Sequence, residues 1–226
     1  MAARNIWRSE RLVYKPVETT DEAFLLSLND YGSESFQNSS MILPIPQGPR
    51  GAVGYREWLQ SCLLGCIVYL PAPEEAPDQS NSDSNTNSSP NDDNNNNNPT
   101  PNPKKPTLIP IGTIALQPID PKRSHHRNTS IGVTISQPYQ NKGYGSEAIL
   151  WATEWAFKHA GMHRVGIGAF SWNEGAWKLY QRLGFVMEGR IRESVWADGR
   201  WEDEVSLGML VGEWEARYGG GKRVMG

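Results

Sequence analysis

A glycine-containing turn between a strand-like run and a helix-like run constrains this chain more than any other feature. Residues 140–148 read Gln-Asn-Lys-Gly-Tyr-Gly-Ser-Glu-Ala; they follow the β-branched run 130–136 and open a helical pattern that reaches about His159. Glycine lets backbone N–H groups approach a ligand because it has no Cβ. The helix start adds unpaired N–H groups and a partial positive charge. The turn therefore predicts an anion site, most naturally for a diphosphate.

The spacing of this turn fits neither a P-loop nor a dinucleotide-binding fingerprint. An ordinary glycine turn at a helix start is therefore the alternative interpretation of these residues taken alone. A longer pattern decides between the two, because two further blocks of the sequence follow in a recognisable order.

Gln140-x-x-Gly143-x-Gly145 resembles the Gln/Arg-x-x-Gly-x-Gly/Ala signature of the GCN5-related N-acetyltransferase (GNAT) superfamily, in which this loop holds the pyrophosphate of acetyl-CoA. Residues 173–185 resemble the Asn…Tyr…Gly-Phe segment that follows in that family. Residues 188–203 resemble the terminal hairpin of its ribosomal-protein-alanine and polyamine acetyltransferase branch. The three blocks together make the resemblance specific.

The resemblance implies an α/β fold of the α+β type. This GNAT fold is a single domain whose mixed, mostly antiparallel sheet has a splayed central parallel pair and is flanked by helices. The hydrophobic patterns predict elements that agree with it. Strands are expected at residues 11–17, 62–70, 108–119, 130–136, 164–170, 186–196 and 201–211, and helices at 22–28, 55–61, 148–159 and 174–183.

The resemblance also implies roles for individual residues. In the family, the fourth strand pairs with the pantetheine chain as if with an added strand, and the glycine turn holds the diphosphate. The implied cofactor contacts are Val133, Thr134, Ile135, Gln140, Asn141, Lys142, Gly143, Tyr144, Gly145, Ser146, Asn173 and Lys178. Tyr180 corresponds to the family's general acid for the departing thiolate, and Asn173 to the residue that hydrogen-bonds the pantetheine. A packed core aromatic and a simple N-cap are the structural alternatives.

The general base is where the chain departs from the family pattern. Many relatives have a glutamate just before an Ile-Gly pair on the fourth strand, and Ser130 occupies that position here. A serine cannot by itself deprotonate an ammonium group at neutral pH. Either water carries the proton to a carboxylate such as Glu34 or Glu193, or the amine arrives neutral.

The segment 29–54 is a long loop rich in Ser, Pro and Gly, and loops of this length in compact domains tend to be functional. In the family this region borders the acceptor pocket. The candidate substrate residues are Tyr31, Glu34, Phe36, Ser130 and Glu193, for each of which an ordinary solvated side chain is the alternative.

A polar tract interrupts the predicted domain. Residues 72–107 are dominated by Asn, Ser, Asp and Pro, a composition that cannot bury enough apolar surface to offset its ordering entropy. The expected organisation is one acetyltransferase domain over residues 1–218, interrupted by a disordered insertion at 72–107 and followed by a flexible tail at 219–226. An asparagine run can also mediate self-association.

Composition excludes several other classes of function. The formal net charge of −3 gives no general attraction to nucleic acid. No apolar run has signal-peptide or membrane-span length, so we expect a cytoplasmic protein, without excluding the nucleus. The two cysteines and four histidines form no metal-binding pattern, and no metal is expected. The sequence leaves open whether the chain is a monomer or a homodimer.

The function predicted from these observations is transfer of an acetyl group from acetyl-CoA to a primary amine by direct attack in a ternary complex. The acceptor is a protein N-terminus, a polyamine or a small-molecule amine. The alternatives are a non-catalytic CoA-binding sensor or scaffold, and an interaction protein that acts through the Asn-rich tract.

Overall fold

One mixed sheet of seven strands organises the part of the chain that the structure describes. The computed structural model describes residues 5–28, 38, 45–72 and 107–219. The strands are β1 (Val13–Pro16), β2 (Leu64–Pro71), β3 (Leu108–Leu116), β4 (Asn128–Ile135), β5 (Arg164–Phe170), β6 (Val186–Ala197) and β7 (Arg200–Leu210). Their order is β1-β2-β3-β4-β5-β7-β6, and every neighbouring pair is antiparallel except β4 and β5. The predicted fold class is confirmed.

The parallel pair at the centre of the sheet separates partway along its length. The ladder between β4 and β5 runs from Asn128 opposite Arg164 to Ile131 opposite Ile167. Past this point β4 pairs only with β3, and β5 pairs only with β7. The predicted splay of the central pair is therefore present, and it opens a cleft in the middle of the sheet.

Helices cover both faces of the sheet. Helices α1 (Glu22–Leu28) and α2 (Pro49–Ser61) pack on one face, where Leu25 and Leu59 share a small core with Ile67 and Ala115. The other face carries α3 (Tyr144–Lys158), α4 (Glu174–Arg182) and α5 (Val211–Tyr218). Their apolar residues form the main core with β4, β5 and β7. The cleft between β4 and β5 therefore has one side towards α1 and α2 and the other towards α3, α4 and α5.

Several predicted boundaries differ from the structure. Helix α2 begins at Pro49 rather than 55, because proline is well suited to the first helical position. Cys62 ends this helix, so β2 begins two residues later than predicted. The sequence interpretation missed α5, since β7 runs directly into it without a turn residue. The Leu210 N–H is bonded at 2.8 Å to the Glu213 carboxylate, which caps the start of α5.

The polar insertion connects β2 and β3. The Ala72 N–H donates to the Thr107 carbonyl oxygen at 2.8 Å, so the two ends of the tract lie side by side at the end of the antiparallel ladder. Residues 73–106 and 220–226 lie outside the described residues. The disorder predicted for 72–107 and for the tail 219–226 therefore stays a prediction.

Candidate active site

The turn between β4 and α3 has the geometry of an anion cradle. Asn141 and Gly143 have positive φ angles of 58° and 83°, and Gly143 directly precedes the first turn of α3. The Gln140 side chain fixes the turn to β4, because its Nε2 donates to the Ile135 carbonyl oxygen at 2.8 Å. The first N–H groups of an α-helix lack intrahelical acceptors. The turn can therefore present these donors and the positive end of the helix dipole to a phosphate.

The remaining predicted residues of the turn lie around this cradle. Lys142 Nζ donates to the Pro138 carbonyl oxygen at 2.8 Å, and this hydrogen bond holds the positively charged ammonium group beside the turn. Tyr144, Gly145 and Ser146 form the first turn of α3. A Cβ atom on Gly145 would have its nearest neighbour at 3.8 Å, so glycine leaves open space on this side of the helix start.

An ion pair that the sequence interpretation missed holds the cradle in place. The Arg11 Nε donates to a Glu147 carboxylate oxygen at 2.8 Å, and the Arg11 N–H and the Ser9 hydroxyl donate to the other oxygen at 2.7 and 2.6 Å. Arg11 Nη1 also donates to the Lys142 carbonyl oxygen at 3.0 Å, and Nη2 lies 3.2 Å from the position of a Cβ on Gly143. Because the Arg11 side chain is partly exposed, this ion pair adds little to the folding stability. We infer that it positions the turn and places a positive charge beside it.

The end of β4 supplies a second element of the site. Val133, Thr134 and Ile135 pair with β3 on one side, while the ladder to β5 has already ended on the other. A strand edge of this kind accepts an extended chain through backbone hydrogen bonds. The cradle at the end of this edge and the edge itself fit a ligand in which a diphosphate is joined to an extended amide chain, as in coenzyme A.

Helix α4 places the two residues predicted for catalysis two turns apart. Asn173 is its N-cap, and its Oδ1 accepts a hydrogen bond from the Ala176 N–H at 3.2 Å. Tyr180 packs in the main core, 7% exposed, and makes no hydrogen bond through its hydroxyl within the described residues. Burial raises the pKa of Tyr180 to about 12. Lys178 forms an exposed ion pair with Glu174, so in this structure its ammonium group already has a partner.

Of the candidate substrate residues, only Ser130 and Glu193 are described, and they lie on different strands. Ser130 lies on β4 with its hydroxyl towards the α2 face of the sheet, 2.8 Å from the position of a Cβ on Gly166. Glu193 is exposed on a bulge of β6, where its backbone N–H donates to Asp203. Tyr31, Glu34 and Phe36 lie outside the described residues.

One residue of the long loop does reach the site. Asn38 Oδ1 accepts a hydrogen bond from the Trp172 Nε1 at 3.1 Å, and the Asn38 carbonyl oxygen lies 3.5 Å from the Asn173 amide. The Trp172 ring stacks on Phe170 at the end of β5, with 4.3 Å between ring centroids. Asn38, from the loop that the sequence assigned to the acceptor pocket, therefore lies at the start of α4.

No group of three or more His, Cys, Asp or Glu side chains in the described part of the chain is arranged to hold a metal ion. Among those same residues, no helix is both long enough and apolar enough to cross a membrane.

Curated relatives match part of the chain. It is 29% identical over 87 residues to the SPbeta prophage-derived uncharacterized N-acetyltransferase YokL of Bacillus subtilis strain 168, covering 38% of the chain and 49% of YokL. It is 30% identical over 84 residues to the [ribosomal protein uS5]-alanine N-acetyltransferase of Escherichia coli strain K12, covering 37% of the chain and 43% of that enzyme. The chain thus spans about half the length of the curated relatives it matches.

Solved structures and a family model extend the comparison. The spermidine N-acetyltransferase from Vibrio cholerae, solved in complex with CoA and spermine, superposes with a TM-score of 0.64 at 18% identity, covering 90% of this chain and 98% of that one. At this identity the likeness shows the fold. The model described as Acetyltransferase (GNAT) family matches residues 73–185, half of the chain, and this segment includes the cradle, the cleft and α4. The chain therefore belongs to the acetyltransferase (GNAT) family.

Proposed function

We propose that this chain is an acetyl-CoA-dependent N-acetyltransferase that modifies a primary amine by direct attack in a ternary complex. The observation that carries the proposal is the parting of β4 and β5 after Ile131 and Ile167, beside an anion cradle at the start of α3. This cleft would hold an extended thioester with its phosphates at the cradle and its reacting end at the centre of the sheet.

The residues present fit this cofactor. The turn 140–146, with Arg11 and Lys142 beside it, would hold the diphosphate, and residues 133–135 would pair with the pantetheine chain. Asn173 and Lys178 would contact the cofactor from α4. Acetyl-CoA supplies the activated acetyl group when bound. Tyr180 stays protonated throughout the neutral range because burial raises its pKa to about 12, so it can donate a hydrogen bond to the departing sulfur.

The acceptor is proposed as a class rather than as a compound. One relative is named for the alanine of ribosomal protein uS5, and a structural neighbour was solved with spermine. Both names describe acceptors with a primary or terminal amine. We therefore propose a protein N-terminus, a polyamine or a small-molecule amine as the acceptor of this chain.

Release of free thiol from acetyl-CoA in the presence of an amine panel tests the proposal. The panel contains spermidine, an alanine-leading peptide and a simple alkylamine. Wild-type protein should release thiol with at least one amine, and acetylated amine should accumulate in equal amount. Gly143→Glu should abolish CoA binding, since it adds a side chain at φ 83° and a negative charge in the cradle. CoA binding without thiol release for any amine would instead favour a sensor or scaffold.

A further inference from the structure

Each of the two splayed strands has a glycine at the first position beyond the last β4–β5 pair. Ile131 and Ile167 form that pair, and Gly132 and Gly168 follow. Both glycines face the α2 side of the sheet, because the Ser130 hydroxyl, which lies two residues before Gly132, points at the Cβ position of Gly166 on that side. The floor of the cleft on this side is therefore backbone without side chains.

Two side chains stand over this glycine floor. The Trp58 ring lies 3.7 Å from the position of a Cβ on Gly132, and a Glu204 carboxylate oxygen lies 3.6 Å from that of a Cβ on Gly168. Trp58 is oriented by stacking on Tyr55, with 5.7 Å between ring centroids and 8° between the ring planes. An aromatic ring from α2 and a carboxylate from β7 thus border the mouth of the cleft, the ring with its Cη2 atom nearest Gly132.

Glu204 differs from the carboxylates around it. Its side chain is partly buried on β7, opposite Phe170, and makes no ion pair or hydrogen bond with any described residue. Three carboxylates near it have basic or polar partners. These pairs are Glu202 with Arg200 and Ser171, Asp203 with Arg190, and Glu188 with Arg164.

The Arg164–Glu188 ion pair bounds one end of the glycine floor. The Arg164 guanidinium lies 3.1 Å from the position of a Cβ on Gly166, and the Glu188 carboxylate fills the corresponding space at Gly208. The open part of the glycine floor is therefore confined to Gly132 and Gly168, between Trp58 and Glu204.

We propose that Trp58 and Glu204 form the binding pocket for the ammonium group of the acceptor, and that Glu204 is the general base. This inference rests on the proposed function. It assigns the role of general base, which Ser130 cannot fill. A cation is attracted to the face of a Trp ring and to an unpaired carboxylate. The bare glycine floor admits a primary ammonium close to the backbone, next to the point where the strands part.

The acid and the base then lie on opposite faces of the sheet. Tyr180 belongs to the core on the α3 and α4 side, whereas Glu204 and Trp58 lie on the α2 side. One ammonium proton passes to Glu204, and the amine nitrogen bonds to the carbonyl carbon of the thioester as the carbon–sulfur bond breaks. The sulfur leaves with the electron pair of that bond and takes a proton from Tyr180. The second proton of the attacking nitrogen passes to water as the neutral amide forms, Glu204 releases the first proton to solvent, and Tyr180 is reprotonated from solvent.

Amine binding to the CoA-loaded protein tests the pocket without relying on turnover. Spermidine, propylamine and an alanine-leading peptide are titrated by calorimetry, with N-acetylpropylamine and the N-acetylated peptide as counterparts that lack the ammonium group. Glu204→Gln should weaken binding of the free amines at least about tenfold, the effect of removing a charge-assisted hydrogen bond. Trp58→Leu, which keeps an apolar side chain but has no ring, should weaken it about two- to tenfold. CoA affinity should be unchanged in both variants.

Glu215→Gln is the matched control, because Glu215 is an exposed carboxylate on α5. Equal amine affinity in wild type and Glu204→Gln, or no binding of any panel amine to wild type, would overturn the pocket. If wild type releases thiol, Glu204→Gln should lower kcat/KM at least about a hundredfold. Binding of amines that depends on Glu204 but leads to no thiol release in wild type would support the pocket and reject the acetyltransferase function.

Discussion

The environment of the Tyr180 phenol defines how this residue can act. Its side chain lies in the main core beside Phe185, with the two rings in an edge-on arrangement at 6.5 Å. Burial raises its pKa to about 12, so the neutral phenol persists far above neutral pH. Such a group can donate a hydrogen bond to a departing thiolate, but a buried phenolate would be costly and must be reprotonated at once.

Replacing Tyr180 with Phe should therefore lower turnover while leaving the cofactor site intact. The ring and its packing remain, so CoA affinity by calorimetry should match wild type. Turnover with the best amine should fall at least about tenfold, towards the low end of the range for general-acid catalysis. Because a thiol with a pKa near 8.5 leaves with modest help, a larger loss is not required. Unchanged turnover would identify Tyr180 as a core aromatic only.

The predicted structural features that the fold confirms are those set locally along the chain. Asn173 is the N-cap of α4, and Gly143 adopts its positive φ within the strand–turn–helix unit, so spacing alone could place them. Arg11 and Glu147 are 136 residues apart and meet only through the fold. Trp58 and Glu204 likewise come from different elements, and no local pattern marks either one.

The boundaries of strands and helices were predictable wherever the element ends in a residue with a strong local preference. Gly161 and Gly184 have positive φ angles after α3 and α4, and Asp198 and Gly199 form the turn between β6 and β7. Helix α5 lacks such a signal at its start. It is held by tertiary packing, with the Trp214 ring 5.8 Å from Phe157 of α3, which a pattern within one segment does not reveal.

The insertion between β2 and β3 should be dispensable for folding. Its ends already meet at the Ala72–Thr107 hydrogen bond, and each halving of a flexible loop lowers its closure cost by about 0.6 kcal/mol. Replacing residues 73–106 with a short Gly/Ser linker should leave the melting temperature unchanged or raise it by a few degrees. CoA affinity should equal that of the full chain.

The control for this deletion is a scrambled tract of the same length and composition, which should melt like wild type. A drop of several degrees in the linker variant, with the scrambled variant unaffected, would show that the tract stabilises the domain through its length. A drop in both variants would point to a specific contact made by its sequence.

In the described part of the chain, the two faces of the seven-stranded sheet carry different side chains. The face covered by α3, α4 and α5 contains the main core and Tyr180, while the α2 face holds Ser130, Trp58 and Glu204 around the cleft. The family resemblance predicted the cleft, and the cofactor contacts that it implies lie in local motifs beside that cleft. The acceptor side of the cleft depends on which side chains of β7 and α2 lie over Gly132 and Gly168. These contacts join elements that are far apart in the sequence, so no local pattern predicts them.

The buried phenols and thiols should make the folding stability of the protein decrease at alkaline pH. Burial raises the pKa of Tyr180 and of Cys66 to about 12, that of Cys62 to about 11, and that of Tyr55 above its ordinary value. In the unfolded chain thiols ionise near pH 8.5 and phenols near pH 10. Above these values the unfolded state binds fewer protons than the native state, so stability decreases as pH rises.

We therefore expect the free energy of unfolding, measured with urea, to fall between pH 8 and pH 10.5, and these groups to contribute no change below pH 8. The fall should begin near pH 8, because the thiols of the unfolded chain, with a pKa of about 8.5, lose their protons first. In the double variant Cys62→Ala and Cys66→Ala the fall should begin nearer pH 10, because only the phenols remain. A free energy of unfolding that stays constant up to pH 10.5 in wild type would show that the pKa values of these groups are the same in the native state and in the unfolded state.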